Sequence, residues 1–275
     1  MTDAHCHPWD LREYLTDAEE ERRETGTAIA ASSWSLPEFE YHESMAKKAS
    51  EDAAPQVFCC FALHPQLSEG GDFFFSEGIE LLESLGAEGR LDAVGETGFD
   101  LYNEEFRAGE KIQDEMFAFH LETALKYSLP LVLHVRRAMH KIFPRTKELK
   151  KLPAVVFHSW PGTRGEGEAM LRRGVNAFFS FGSVVSKNHR EAIVSAALFP
   201  AERILLETDA PYQPLRGRAF SSWRDLEAIC SCIADLRKEA GSPCATKEEL
   251  EETTTANFFT VFSSLDHELK DRSAK

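Results

Sequence analysis

The sequence lacks any uninterrupted apolar run of roughly 18 residues, the length that a membrane-spanning helix requires. Its first residues, MTDAHCHPWD, also lack the charged head and apolar stretch of a secretory signal. We therefore expect neither membrane association nor export, and the cytoplasm is the predicted compartment.

Cysteine pairs at the spacing of metal-binding motifs are also missing. None of the six cysteines forms a C-x₂-C pair, and their positions make a poor disulfide framework. Five lie in apolar-rich segments, where reduced and partly buried thiols are expected, as in a reducing cytoplasm. The cysteines are Cys6, Cys59, Cys60, Cys230, Cys232 and Cys244.

Basic residues are scarce relative to acidic ones. The chain has 31 lysines and arginines against 46 aspartates and glutamates, giving a formal net charge of −15. This balance argues against a protein that coats nucleic acid with a broad basic surface. It does not exclude a pocket with its own positive charge, such as bound metal ions. With 43% hydrophobic and 28% charged residues, disorder of the whole chain is excluded.

Short apolar runs alternate with longer amphipathic segments along the 275 residues. The runs predict buried strands at 1–6, 27–31, 56–63, 91–95, 131–135, 154–157, 177–181 and 204–206. Helical spacing is found at 36–50, 74–85, 106–127, 137–150, 166–173, 189–198, 222–240 and 247–264. Eight such units predict an α/β fold, a single-domain (β/α)₈ TIM-like barrel over residues 1–265, followed by a frayed tail at 266–275. A doubly wound open sheet is the alternative.

Metal-ligand residue types follow six of the predicted strands. Because the carboxyl ends of barrel strands open onto one face, residues scattered over the chain would converge in one pocket there. Imidazole and carboxylate groups bind divalent transition ions, and an H-x-H pair on a strand directs both rings to one side. The candidate ligands are His5, His7, Glu96, His134, His158 and Asp209.

Six candidates exceed what a single tetrahedral catalytic zinc with an open position needs. They suit two divalent metal ions (Zn, Mn or Mg) that share a bridging carboxylate. We assign Glu96 as the catalytic bridge, His5, His7 and Asp209 to one ion, and His134 and His158 to the other. Asp209 is also the candidate general base, because a carboxylate at this position can take a proton from the attacking water.

Other polar residues have smaller expected roles. His64 follows the third predicted strand and is expected to contact substrate, with ligation or a structural turn as alternatives. Asp3 is expected to hydrogen-bond a neighbouring backbone group or a ligand histidine. The histidines in helix-like segments are expected to be ordinary surface residues: His42, His120, His140, His189 and His267.

The motifs together resemble the TatD family of metal-dependent hydrolases, within the amidohydrolase-like barrels, over nearly the whole chain. The resemblance rests on DAHCH at 3–7, VGETGFD at 94–100, Gln113, Phe117, Leu121, Ala124, Pro130, LVLHVRRA at 131–138, SFG at 180–182 and RILLETDAPY at 203–212. It implies a (β/α)₈ barrel, a dinuclear metal site and hydrolase activity, often that of a metal-dependent DNase.

The sequence departs from the family pattern in its loops. Val135 stands where the family usually has Ser, Trp160 interrupts the usual turn after the sixth strand, and the usual stretch after Pro211 is missing. All six presumed ligands are present, so these departures concern the substrate more than catalysis. Arg136, Arg216 and Arg218 are the candidate phosphate contacts. Trp160 and Tyr212 could stack a base or pack in the core.

The leading hypothesis is a TatD-like deoxyribonuclease that cleaves phosphodiester bonds at DNA ends, with single-stranded ends as the expected partner. The alternative is a small-molecule amide, lactone or aminoacyl-ester hydrolase of the same superfamily, and a non-catalytic scaffold is a remote third. Convergence of the three arginines at the pocket mouth would favour phosphate. No membrane partner is expected, and a monomer is favoured.

Overall fold

The computed structural model describes residues 1–187 and 189–263, with the backbone only at residues 68–75. Eight strands form a single sheet in chain order, and each neighbouring pair from β1–β2 to β7–β8 is parallel. The strands are β1 Thr2–Cys6, β2 Ala28–Ser33, β3 Val57–Phe61, β4 Ala93–Asp100, β5 Leu131–Arg136, β6 Val155–Phe157, β7 Ala177–Phe181 and β8 Ile204–Leu206.

Helices connect the strands, as parallel crossovers require. The α-helices are α1 Pro8–Leu11, α2 Ala18–Glu24, α3 Leu36–Glu51, α4 Gly71–Ala87, α5 Glu104–Ala108, α6 Glu110–Tyr127, α7 Met139–Ile142, α8 Thr146–Leu149, α9 Arg164–Arg172, α10 Arg190–Leu198, α11 Asp225–Glu239 and α12 Lys247–Phe262. Short 3₁₀ turns occupy Pro65–Gly70, Phe143–Arg145, Ser183–Ser186 and Ala201–Arg203.

The sheet curves until its first and last strands meet. Asp209 N donates to His5 O (3.0 Å) and His7 N donates to Ala210 O (2.7 Å) just beyond the carboxyl ends of β8 and β1. Asp3 strengthens this junction, because its carboxylate accepts from Thr208 N (3.0 Å) and Thr208 Oγ1 (2.6 Å). The fold is therefore the predicted (β/α)₈ barrel, and the open-sheet alternative is excluded.

Apolar side chains fill the space below the site. Val132 lies two residues before His134, and Val156 two before His158, so strand alternation places each on the side of its histidine. Both belong to one buried cluster with Phe258 of α12. Asn257 Nδ2 donates to the carbonyls of Ala201 and Ile204, both at 2.8 Å, and fixes α12 as the floor of the barrel.

All eight predicted strands are present, and the helical prediction is correct in outline. The predicted helix 106–127 is divided into α5 and α6, and the segment 137–150 forms two short helices around a 3₁₀ turn. Thr246 and Glu249 form a reciprocal capping box at the start of α12. All six thiols are free, as expected. The tail at 266–275 lies outside the described residues.

Two of the five histidines expected at the surface are buried, so that prediction is wrong for His42 and His120. His120 Nε2 accepts from Leu63 N at 3.1 Å, and its Nδ1 lies against Thr97 Oγ1 at 2.5 Å, between α6 and the barrel wall. His140 and His189 are exposed as predicted. His267 lies outside the described residues.

His42 makes the stability of the protein depend on pH. Burial lowers the pKa of its imidazole from 6.5 to about 3, with a further contribution from the charge of His7. Between these two values the unfolded chain binds the proton and the folded chain does not, so stability falls as the pH falls through 6.5. At about pH 5 the loss from this residue is roughly 2 kcal/mol relative to about pH 8.

The variant His42→Leu is expected to reduce this acid sensitivity. Within the described ranges neither ring nitrogen of His42 has a hydrogen-bond partner, so the substitution removes no bond there. Urea unfolding at several pH values should give a free energy that falls less steeply below about pH 6.5 than that of the native chain. If the free energy of unfolding of His42→Leu fell as steeply with pH as that of the native chain, His42 would not be the source of the acid sensitivity.

Candidate metal centre

The carboxyl ends of the strands bring the six candidate ligands together. His5 and His7 end β1, and Glu96 lies within β4. His134 is near the end of β5. His158 directly follows β6, and Asp209 comes shortly after the end of β8. A cavity of about 700 Å³ opens over them, lined by His7, Glu96, His134, His158 and Asp209 among others.

Glu96 lies at the centre of this cluster, and its two oxygens face different histidines. Oε2 lies 3.1 Å from His5 Nε2 and 3.8 Å from His7 Nε2. Oε1 lies 2.6 Å from His134 Nδ1 and 2.8 Å from His158 Nε2. One carboxylate therefore lies between two sets of candidate ligands, His5 with His7 and His134 with His158.

Asp209 and His64 extend the two sets. Asp209 Oδ1 is 3.5 Å from His7 Nε2 and 3.7 Å from His5 Nε2. His64 Nε2 is 3.3 Å from Glu96 Oε1, so His64, expected to contact substrate, lies beside the ligand cluster itself. Among the described residues, three overlapping groups have ligand atoms within 4.8 Å of one another: His5, His158 and Asp209; His5, His7 and Glu96; His64, Glu96 and His134.

The donor set fits divalent transition ions. Imidazole nitrogens and carboxylate oxygens are the groups that such ions bind, and here they are buried or half-buried, mutually close and drawn from several strands. Burial of Glu96 acts to raise its pKa, but the positive potentials of His158, His64 and His5 outweigh burial and hold the pKa well below its usual range. For Asp209 burial also raises the pKa, and the hydrogen bond from His7 contributes to a net lowering. Both carboxylates are therefore ionised, the state that a metal ligand requires.

Asp100 and Gln66 support the candidate ligand His134, and sequence reasoning assigned them no role. Asp100 Oδ2 is 3.2 Å from His134 Nε2 and accepts from Gln66 Nε2 at 2.9 Å. Burial raises the pKa of Asp100, but the hydrogen bonds with His134 and Gln66 reverse this and bring the pKa to about 2. A carboxylate that orients a ligand histidine is a common outer partner of metal sites. Asp100 is the last residue of the VGETGFD segment, and this position was the sequence signal that could have identified it.

Glu207 is a third residue that sequence reasoning left without a role. It is fully buried, and its Oε1 lies 3.6 Å from His158 Nδ1, on the side of the ring opposite Glu96. Ser180 Oγ donates to its other oxygen. Burial lowers the pKa of His158, but the charges of Glu96 and Glu207 outweigh burial and raise it well above 6.5.

Gln213 binds the carboxylate oxygen of Asp209 that does not face His5 and His7. Gln213 Nε2 donates to Asp209 Oδ2 at 2.7 Å and to Ser159 Oγ at 3.0 Å. Ser183 Oγ donates to the backbone oxygen of Gln213. Asp209 and Gln213 both have a positive φ, 56° and 52°, a backbone conformation that residues other than glycine rarely adopt. The contacts of Gln213 hold the segment in this conformation.

Asp3 lies beneath the site and makes the expected backbone contact. Its Oδ1 accepts from His5 N at 3.2 Å, in addition to the contacts with Thr208 that join β1 and β8. Asp3 thereby fixes the backbone on which His5 and Asp209 are placed.

The three candidate phosphate-binding arginines do not converge. Arg136 lines the cavity, and its side chain is 45% exposed. Arg218 pairs with Asp225 Oδ1 at 3.0 Å and lines a separate, smaller cavity beside Arg224. Arg216 is exposed and, within the described ranges, is not among the residues that line either cavity.

The two candidate stacking aromatics also differ. Trp160 is fully buried, and its Nε1 donates to Ser195 Oγ at 3.2 Å, so it packs in the core. Tyr212 is 48% exposed and lines the cavity with its ring 5.3 Å from that of His7. Its hydroxyl donates to Asp10 Oδ2 at 3.0 Å.

Comparison with known proteins decides the family. The model of the family described as TatD related DNase matches residues 2–263. The chain belongs to the TatD family. It is accordingly an enzyme of the metal-dependent hydrolase class, built on the barrel described above.

Individual TatD relatives agree with this assignment. The chain is 35% identical to the 3′-5′ ssDNA/RNA exonuclease TatD of Shigella flexneri over 191 residues, which are 66% of this chain and 70% of that protein. It is 25% identical to the uncharacterized metal-dependent hydrolase YjjV of Escherichia coli over 266 residues, 95% and 97% of the two chains. The crystal structure of YjjV superposes with a TM-score of 0.79 at 23% identity, covering 96% and 98% of the chains. In the described part of the chain, no helix has the length and apolarity to cross a membrane.

Proposed function

We propose that this TatD family member is a dinuclear metal-dependent exonuclease that removes nucleotides from the 3′ ends of single-stranded DNA. The observation that carries the proposal is the position of Glu96, with one oxygen toward His5 and His7 and the other toward His134 and His158. A single carboxylate between two imidazole pairs fits a bridge between two ions.

The residues of the chain divide the work of hydrolysis. His5, His7, Glu96, Asp209, His134 and His158 would hold the two divalent ions. Bound there, the ions would lower the pKa of water and neutralise charge that develops on the phosphate. Asp209 takes the proton of the attacking water, because its Oδ1 faces the cluster while Gln213 holds its Oδ2. Arg136, at the cavity wall, grips phosphate oxygens.

The proposed substrate rests on the relatives and on the form of the cavity. The Shigella flexneri relative carries the name 3′-5′ ssDNA/RNA exonuclease. A cavity of about 700 Å³ over buried ligands admits a strand end, whereas a duplex would need a long basic groove that a charge of −15 does not favour. Trp160 is buried, Arg218 is paired with Asp225, and Arg216 is not among the described residues that line the cavity. Arg136 and Tyr212 are therefore the proposed contacts for the terminal nucleotide.

Hydrolysis of labelled oligonucleotides tests the proposal. Chelator-stripped protein is given single-stranded DNA labelled at either end, with Mg²⁺, Mn²⁺ or Zn²⁺ restored separately. We expect metal-dependent shortening from the 3′ end, absent in Asp209→Ala. If folded protein binds two ions and cleaves neither DNA nor RNA, the nuclease proposal fails and a small-molecule ester or amide hydrolase replaces it.

Replacing Gln213 by leucine is expected to lower kcat about 10-fold or more with little change in KM, since an outer partner of a metal ligand typically contributes 10- to 100-fold. The substitution keeps the side-chain size and removes the donor that fixes Asp209 Oδ2. Metal affinity, measured by titration of the stripped protein, should fall as well. The exposed Gln56, changed to leucine, is the matched control. Native kcat and metal affinity in Gln213→Leu would exclude a positioning role.

A further inference from the structure

Three arginines surround Tyr102 beyond the carboxyl end of β4, and one of them, Arg136, lines the cavity. The guanidinium carbon of Arg136 lies 3.7 Å from the centre of the Tyr102 ring, and that of Arg137 lies 4.5 Å from it. Arg137 NH1 donates to Tyr102 O at 3.0 Å, and Arg107 NH1 reaches the same oxygen at 3.4 Å. Three positive charges are thus gathered around one residue.

Few carboxylates of the described residues pair directly with these three guanidinium groups. Within the described ranges, the only carboxylate within 4.0 Å of the three guanidinium groups is Asp100, 3.8 Å from Arg136 NH1. Asp100 is buried and already bonded to His134 and Gln66. Guanidinium groups held this close repel one another, and a bound anion would relieve that repulsion.

The free donors of the three side chains suit phosphate. A guanidinium carries five N–H groups. Arg107 and Arg137 each use only NH1 to donate to backbone oxygens of the described residues, so most of their N–H groups are available to a ligand. The side chains of Arg107, Arg136 and Arg137 are exposed, and Tyr102 is 43% exposed. Arg136 also lines the cavity two residues after His134 on the same strand, so the group is continuous with the candidate metal centre.

We propose that Arg107, Arg136 and Arg137, held around Tyr102, form a binding tract for the phosphodiester backbone of a single strand whose end occupies the cavity. This inference rests on the proposed function and extends it from the terminal nucleotide to the next phosphates. Arg136 contacts a phosphate at the cavity wall, and Arg137 and Arg107 contact the phosphates that follow. The tract accounts for how an acidic protein holds a polyanion: positive charge is concentrated at one edge of the site.

The experiment compares the native protein with Arg107→Gln/Arg137→Gln, which leaves Arg136 in place. Binding of a short single-stranded oligonucleotide is measured by fluorescence anisotropy on metal-stripped protein over a range of salt concentrations. Two lost phosphate contacts should weaken binding roughly 10- to 100-fold at about 50 mM salt and reduce the salt slope by about 1.4. The ratio of kcat/KM for this oligonucleotide to that for a dinucleotide should fall in parallel.

Two controls separate charge from structure. Arg107→Lys/Arg137→Lys keeps both charges and should retain most of the salt slope. Arg172→Gln removes an arginine whose guanidinium pairs with Glu168 on α9, and should bind as the native protein does. Native affinity and slope in the double glutamine variant, shown to be folded by its thermal unfolding, would overturn the tract.

The design also distinguishes failure of the tract from failure of the proposed function. Metal-dependent cleavage of the dinucleotide by the native protein tests the catalytic centre without the tract. If the native protein cleaves the dinucleotide and the glutamine variant binds oligonucleotide normally, only the tract is wrong. If no phosphodiester is cleaved, the proposed function fails first and the tract fails with it.

Discussion

Replacing Glu96 by alanine is expected to reduce metal-dependent kcat/KM at least about 10³-fold, since loss of several kcal/mol of charge stabilisation corresponds to that factor. The physical reason is that Glu96 lies at the centre of the cluster. Each of its two carboxylate oxygens lies within 3.1 Å of an imidazole nitrogen, and these imidazoles come from different strands. Removing the carboxylate takes a donor from both proposed ion positions. The stripped and reloaded variant should also contain less metal than the native protein when analysed by atomic emission.

The exposed Glu115 on α6, changed to alanine, is the matched control for loss of a glutamate. Circular dichroism should show an intact fold in Glu96→Ala, because the strands around it are held by the apolar core below. Native turnover with two bound ions in this variant would remove Glu96 from the bridging role.

Changing Asp209 to asparagine is expected to lower kcat by about 10²- to 10⁴-fold, the range typical of a lost general base. The amide keeps the shape of the side chain and the position of one oxygen, but it has no charge with which to accept a proton. Burial raises the pKa of Asp209, yet the hydrogen bond from His7 contributes to a net lowering, so the native group is available as a base. Rates are measured on a labelled oligonucleotide at saturating metal.

Metal content distinguishes the two roles proposed for Asp209. If Asp209→Asn retains both ions and loses turnover, the carboxylate acts chiefly as the base. If it loses an ion, ligation dominates. The exposed Asp235 on α11, changed to asparagine, is the control. Native kcat in Asp209→Asn would exclude both roles.

The strands and the convergence of the candidate ligands could be predicted from the sequence because both signals are local. An apolar run followed at once by a histidine or carboxylate specifies a buried strand and the group at its end. The barrel then brings these ends together regardless of their separation along the chain. His134 and His158 illustrate this, since His134 lies near the end of β5 and His158 directly follows β6.

What could not be predicted depends on packing between distant segments. His42 and His120 lie in helices with ordinary polar patterns, and their burial follows from how α3 and α6 meet the barrel. The separation of Arg218 from the cavity follows from its ion pair with Asp225, which fixes a loop without regular structure. The hydrogen bond from Gln213 to Asp209 needs a backbone with positive φ at both residues, which no local pattern in that segment specified.

The contact between Asp3 and Thr208 ties the site to the completion of folding. These residues are 205 positions apart, and their hydrogen bonds join the first strand to the last. Closing so long a loop is slow and comes only after most of the chain has been synthesised. His5 and Asp209 therefore meet only in the finished barrel, so an incomplete chain emerging from the ribosome would carry the histidines of β1 without their partner carboxylate. In the proposed metal centre, the ligands from β1 and β8 would therefore come together only when the barrel is complete.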